Sequence, residues 1–205
     1  LPFPDKVRNY PIGYAEAQLF YALNKFEQRQ ALARAGIPVP ATAGTHAKAM
    51  TLAGGKFVVR RLRHQKGQFY RTTDDPRGFI EGQEYISAVF PKTREYRIIF
   101  VFGKPLIQLR KIPPDGAAPE GAWNHAQGSK FRTVNQEDVG VLKTKTNIYD
   151  ALANFSPIKN SHICAVDVLF NSKLNPNYVV CEINSCPSLT IEKGLDKVIE
   201  AIRSR

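Results

Sequence analysis

Two carboxylates and one side-chain amide near the end of the sequence have a spacing that suits a hard metal ion. Asp167 lies in a β-branched, apolar run from His162 to Phe170, and Glu182 lies in a second run from Tyr178 to Ile183. The intervening Asn171–Asn177 contains Asn, Ser and Pro, so the two runs read as a hairpin centred between Leu174 and Asn175. That register sets Asp167 opposite Glu182, with Cβ atoms ~4.5–5.5 Å apart. Asn184, two residues on, points to the same face. Directly opposed like charges are destabilising unless a cation separates them. Mg²⁺ takes oxygen ligands, commonly one or two carboxylates completed by water and phosphate. Zinc fits badly, because no His or Cys shares the face. The competing reading is that the three residues only line the solvent side of a half-buried hairpin.

Other side chains offer further chemistry. Arg97 follows Glu95 by two residues on an expected strand, so both face one way. Arg97 could contact a transferred phosphoryl group or an acidic substrate, or it could pair with Glu95. Trp123-Asn124-His125 sits in a long loop, where the Trp could cap a ligand or anchor the loop, and Asn124 and His125 could touch substrate or phosphate. Cys164 and Cys181 read as buried thiols, a common state for free Cys. Cys186 is a poor ligand for Mg²⁺. The basic run Arg60–Lys66, with Phe69 and Tyr70 able to stack a base, also fits nucleic acid, although no nucleic-acid motif accompanies it.

The elements that must position these groups follow from the pattern. Ala15–Leu23 reads as a helix. A second helix starts at Asn24, an N-cap with Glu27 three residues on, and closes at Gly36 before Pro38 and Pro40. Lys56–Leu62 reads as a strand and His64–Arg71 as a polar loop. Gln83–Val89, Glu95–Phe102 and Pro105–Ile112 read as strands, the last two joined by a turn at Gly103-Lys104. Asp115–Lys130 is a long loop, Asp138–Phe155 an expected helix, and Ile191–Ile202 a closing amphipathic helix. Helices around antiparallel strands imply an α+β architecture.

Composition bounds the reading. The chain has 205 residues, of which 43% are hydrophobic and 23% charged, enough to bury a core. Its net charge of +11 favours an anionic partner. Apolar runs such as Ile98–Phe102 are too short to cross a bilayer. No signal peptide is visible, and three cysteines without a CxxC pair fit a reducing compartment, so a cytoplasmic location is expected. The initial Leu1 reads as a mark of processing or of a fragment.

Val166-Asp167-Val168 followed by Cys181-Glu182-Ile183-Asn184-Ser185-Cys186-Pro187 resembles the metal-binding signature of the ATP-grasp ligases, carboxylate–amine ligases similar to D-alanine–D-alanine ligase and glutamate-ligase-like proteins. The likeness continues upstream in order. Asn24-Lys25 and the stretch Ala31–Pro40 resemble the family's Lys-initiated helix. Phe57–Arg60 resembles its strand with a phosphate-binding cation, and Gly67 lies in what would be the loop over the phosphates. Gln83-Glu84-Tyr85-Ile86 resembles the adenine hinge, and Glu95 the ribose-binding acid.

The resemblance implies a two-lobed ATP-grasp fold of antiparallel β-layers with flanking helices. It divides the chain into a lead-in over 1–23, a remnant of an N-terminal substrate domain, an N-terminal lobe over 24–82 and a C-terminal lobe over 83–205. It implies Asp167, Glu182 and Asn184 as ligands of Mg²⁺ or Mn²⁺. Lys25, Arg60, Gly67, Gln83, Glu84, Tyr85, Ile86 and Glu95 would hold ATP, the main chain of Glu84 and Ile86 meeting the nucleoside. Arg97, Arg110, Asn124 and His125 would act on phosphate and substrate. The implied activity is an ATP- and Mg²⁺-dependent ligase that makes an acylphosphate for attack by an amine, with an acidic small molecule or peptide as substrate and no membrane partner. The alternatives are an inactive grasp-like nucleotide-binding or assembly protein and a basic nucleic-acid-binding protein. Arg60 stands where the family usually has Lys, and Ser188 where Gly is common.

Overall fold

Alternating apolar residues build two separate antiparallel sheets. The computed structural model describes residues 12–63, 70–118, 121, 123, 128–144, 147–185, 187 and 194–204. The first sheet runs in the order β1 (Thr42–Ala43), β4 (Glu84–Ala88), β2 (Phe57–Arg61) and β3 (Arg71–Thr73). The second runs β7 (Lys130–Thr133), β6 (Lys104–Ile112), β5 (Arg94–Val101), β8 (Ile163–Phe170) and β9 (Tyr178–Asn184). β4 therefore joins the first sheet, which extends past the expected lobe boundary to Ala88.

The helices are α1 (Ile12–Ala22), α2 (Lys25–Arg34), α3 (His46–Ala49), α4 (Gln136–Thr144), α5 (Ile148–Ala153), α6 (Ser156–Lys159) and α7 (Gly194–Arg203). α2 has the punctuation expected of it. The Asn24 side chain accepts from the Glu27 amide, and the Glu27 side chain accepts from the Asn24 amide. At the other end Gly36 has φ +75°, the Gly36 amide donates to Ala33 O and the Ile37 amide donates to Leu32 O, which is a Schellman closure.

The expected single helix over Asp138–Phe155 is instead α4 and α5, with α6 beginning just beyond it. Phe155 is extended, and Pro157 at the start of α6 lacks the N–H that a continuing helix needs.

The main core lies behind the second sheet. Tyr96, Ile98 and Phe100 of β5 and Cys164, Val166, Val168 and Phe170 of β8 pack with Leu142, Ile148, Leu152 and Ile158 of α4–α6. Each large apolar side chain buried there contributes about 1.5–3 kcal/mol relative to exposure. The alternate residues of β5 and β8 face the other way. Part of that front face carries Ile99, Val101 and Ala165 under Val198 of α7. The rest carries the charged groups described below. A smaller core of Phe57, Val59, Ile86, Ala43, Ala49 and Phe79 backs the first sheet.

β5 and β6 turn at Phe102 and Gly103, both with positive φ, one residue earlier than expected. A Cβ on Gly103 would come within 2.9 Å of Lys159 Cα, so the close approach of α6 also requires glycine.

Cys164 lies inside the main core, and burial pushes its pKa up to about 11, with the Tyr21 hydrogen bond pulling only partly the other way. About one Cys164 thiol in a thousand is then ionised at pH 8. Iodoacetamide at pH 8 is expected to alkylate Cys164 in the native protein at least about 100-fold more slowly than a free thiol, read by peptide mass spectrometry. Modification at the free-thiol rate would show that the core opens there.

Candidate functional site

Two β-bulges decide which side chains reach the front of the second sheet. Between Phe170 and Val168, β8 pairs with Tyr178, Val179 and Val180, but Asp167 pairs with Glu182, leaving Cys181 as the extra residue. Without it Glu182 would stand opposite Val166 and point into the core. The expected pairing of Asp167 with Glu182 is thus present, produced by the bulge rather than by the expected loop centre. On the other side, Phe100 pairs with Pro105 but Ile99 with Ile107, so Leu106 is extra. That insertion turns the rest of β6 over.

Arg110 is the casualty of the second bulge. An unbulged hairpin would set it opposite Glu95, on the face of Arg97. Instead Arg110 pairs with Tyr96, and its Nη1 donates to Asp138 Oδ1 at 3.3 Å on the opposite face. Arg110 thus lies on the face away from Asp167 and Glu182. Lys111 takes the front position, opposite Glu95. The sequence reading passed over Lys111, and only knowledge of the bulge would have found it.

The front face is a row of ion pairs. Arg97 grips Asp167 with two parallel hydrogen bonds, Nε to Oδ1 at 2.7 Å and Nη2 to Oδ2 at 2.8 Å. Its guanidinium also lies over the Phe131 ring at 4.6 Å. Burial pushes the Asp167 carboxyl up, but the Arg97 charge and hydrogen bonds, with Lys111 and Lys25 behind them, outweigh it and hold the carboxyl below its usual range. Lys25 Nζ lies 2.9 Å from Glu182 Oε1 and donates to Ile183 O at 3.0 Å, Asn184 Oδ1 at 3.3 Å and Gln28 Oε1 at 3.4 Å.

Glu95 is buried and both its oxygens are engaged, Oε2 by Lys92 at 3.0 Å and Oε1 by Lys111. Each oxygen thus meets a lysine, and Arg97 pairs with Asp167 rather than with Glu95. Lys92 also lies over the Trp123 ring at 4.4 Å and donates to Gly121 O, so Trp123 anchors its loop.

The first sheet supplies the opposing cations. Arg60 pairs in register with Tyr85, on the face of β2 away from the small core. Its Nε is buried without a hydrogen-bond partner, and its guanidinium lies over the Tyr70 ring at 5.5 Å. Burial works against the charge, yet Cys181, Tyr85, Glu182 and Tyr70 together push the pKa above the ordinary arginine value. Glu182 is among these causes, which places Arg60 within electrostatic reach of the carboxylate row.

Arg29, also missed in the sequence, is buried and ties the layers together. It donates to Cys181 O at 3.2 Å on β9 and to Ser87 Oγ at 2.5 Å on β4, and it lies 5.3 Å from the centre of the Tyr85 ring.

The expected adenine hinge is otherwise occupied. Gln83 O accepts from the Leu62 amide, the Gln83 and Glu84 amides donate to Ile80 O, and the Glu84 side chain takes Arg71 and the Ile80 amide. Ile86 lies within the ladder between β1 and β2 with its side chain in the small core. Tyr85 is fully buried against Phe26. Most of these groups are thus engaged inside the first sheet. Gly67, Asn124, His125 and Cys186 lie outside the described residues.

Five cations, Lys25, Arg60, Lys92, Arg97 and Lys111, thus surround three carboxylates, Glu95, Asp167 and Glu182. The surplus is positive, and the unsatisfied Arg60 Nε points to an anionic ligand. Among the described residues no group of three His, Cys, Asp and Glu gathers as a metal centre. The available donors are two carboxylates and an amide oxygen, a set that fits Mg²⁺ completed by phosphate.

No family sequence model matches the chain, and no curated protein matches its sequence. Solved structures do. The ATP-grasp ligase PsnB complexed with a minimal precursor has a TM-score of 0.63 at 12% identity over 93% of this chain. D-cycloserine synthetase DcsG gives 0.60 at 17% over 90%, and D-alanine–D-alanine ligase from Bacillus anthracis gives 0.56 at 15% over 88%. The chain spans 62% of PsnB, 70% of DcsG and 67% of the Bacillus enzyme. The two antiparallel sheets with flanking helices are an ATP-grasp fold, as the resemblance implied.

Proposed function

From this fold, we propose that the chain binds ATP with Mg²⁺ or Mn²⁺ and uses it to activate a carboxylate as an acylphosphate for attack by an amine or similar nucleophile. One observation carries the reading: Glu182, paired in register with Asp167, lies within electrostatic reach of Arg60, whose buried Nε has no hydrogen-bond partner. Phosphoryl transfer needs positioning and charge neutralisation more than covalent help, and this arrangement supplies both signs of charge.

Asp167, Glu182 and Asn184 would hold the metal, which neutralises phosphate charge when bound. Arg60 and Lys25 take phosphate oxygens. Arg97, fixed between Asp167 and Phe131, is held rigid to meet charge developing at the acyl phosphate. Lys111 and Lys92 extend the positive field toward an acidic substrate. PsnB was solved with precursor, Mg and ADP, which supports a nucleotide, a divalent ion and a peptide-type substrate here. Among the described residues no helix is long and apolar enough to cross a membrane. Cys164 and Cys181 are free thiols, which supports a reducing, cytoplasmic setting.

Calorimetry tests the reading. The folded chain is expected to bind ATP, with affinity that rises at least tenfold when Mg²⁺ is added. A folded chain that binds no nucleotide in Mg²⁺ would overturn it. Steep salt-dependent binding to oligonucleotides that ATP does not displace would favour the nucleic-acid alternative.

A further inference from the structure

The two cations that meet the carboxylate row are held in different ways. Arg97 is a planar fork locked onto Asp167 by two hydrogen bonds and stacked on Phe131. Lys25 is a point charge on a flexible stem, and its ammonium stands among four oxygens, those of Glu182, Ile183, Asn184 and Gln28. Two of those oxygens belong to the proposed metal ligands.

We propose that Lys25 is the resident counter-ion of this oxygen cluster, so that its ammonium and a divalent ion compete for Glu182 and Asn184, and nucleotide phosphate relieves the competition by drawing Lys25 away. The proposal rests on the metal and nucleotide reading given above.

The physical case is direct. Glu182 and Asn184 flank Ile183 on one edge strand, and a divalent ion bound to Glu182 Oε1 and Asn184 Oδ1 would stand beside an ammonium bound to the same atoms. Like charges at that separation repel strongly where water is partly excluded, and the Lys25 side chain is only 20% exposed. One must give way.

Lys25 can do so without disturbing the fold. Its main chain is the first residue of α2, behind the Asn24–Glu27 capping box, and its amide donates to Leu62 O. Leu62 follows the strand that carries Arg60. Glu182 also contacts the Lys25 ammonium and acts electrostatically on Arg60, so an anion on the free Arg60 Nε would lie near a side chain able to swing to it. Binding of phosphate and of metal then favour each other through Lys25, and this coupling is reciprocal.

The test titrates Mn²⁺ into the full chain without nucleotide and reads free Mn²⁺ by electron paramagnetic resonance. Lys25→Met is expected to bind Mn²⁺ at least tenfold more tightly than the parent, while binding ADP more weakly. Lys25→Arg, which keeps the charge, is expected to stay within about threefold of the parent for Mn²⁺. Lys25→Gln replaces the Met variant if that variant fails to fold. Mn²⁺ binding no tighter in the neutral variant than in the parent overturns the proposal.

A Glu182→Gln change in the Lys25→Met background separates the two levels. Loss of Mn²⁺ binding there supports Glu182 as ligand whatever Lys25 does. Undiminished binding places the metal elsewhere and overturns both the metal reading and the competition built on it.

Discussion

Replacing Arg60 by Met is expected to weaken Mg²⁺–ATP binding about 100-fold, or about 2.7 kcal/mol. That lies in the upper part of the range for a hydrogen bond to a charged group, about 1.5–3 kcal/mol. The upper part is appropriate because the Arg60 Nε is buried and makes no hydrogen bond within the protein. An anionic oxygen there gains a partner at no cost in existing bonds. Met is shorter than Arg and gives up the stack over Tyr70, so the variant is expected to fold with a small loss of stability. Melting within a few degrees of the parent would show this. Arg60→Lys is expected to recover part of the affinity, because an ammonium restores charge but not the bidentate fork. Calorimetry with the three proteins decides the matter. Equal affinity in parent and Met variant would remove Arg60 from the phosphate site.

Local signals carried much of this architecture into the sequence. The Asn24–Glu27 box and the Gly36 closure bracket α2 as expected, because caps are made by residues a few positions apart. The apolar alternation of β5, β8 and β9 was equally legible, and the pairing of Asp167 with Glu182 was expected, though from a loop centre rather than from the bulge that produces it. What stayed hidden were single-residue insertions. Neither Leu106 nor Cys181 is a residue type that announces a bulge, yet each reverses the facing of every side chain beyond it on its strand. One bulge brings Glu182 to the front. The other sends Arg110 to the back and exchanges it for Lys111.

Short strands were also missed. β1, β3 and β7 have two, three and four residues, too few to show a period of two. Glu84 and Ile86 illustrate a different limit. Their sequence resembles a ligand-binding hinge, but whether a main-chain group is free depends on what pairs beside it, and β4 has neighbours on both sides. Arg29 shows the same dependence from the side-chain end. Nothing in its local sequence says that it is buried between β4 and β9, and only the docking of α2 makes it the link between the sheets.

The back of the second sheet carries the prediction with the largest effect on stability. Asp138 near the start of α4 is completely buried. Its Oδ1 accepts from Tyr96 Oη at 2.9 Å, Arg94 Nη1 at 3.2 Å and Arg110 Nη1 at 3.3 Å, while Arg132 Nη2 stands 3.9 Å from Oδ2. One carboxylate thus faces three arginines drawn from β5, β6 and β7, with Glu137 sharing Arg94, and fastens α4 to the sheet. Asp138→Ala leaves those guanidiniums facing one another over a void, and breaking a buried pair from one side costs about 3–5 kcal/mol. For a chain of this size the melting temperature should fall by about 10 °C. Asp138→Asn keeps an oxygen for Tyr96 but not the charge, so about half the loss is expected. Chemical denaturation of the three proteins measures the series, and a loss under about 1 kcal/mol in the Ala variant would show that the arginines do not depend on Asp138. Nucleotide affinity, measured below the lowered melting point, is expected to stay within about twofold of the parent, because this cluster and the Asp167–Glu182 pair occupy opposite faces of the same sheet. A tenfold change in affinity would mean instead that Arg110 acts through the sheet on the site it was first expected to line.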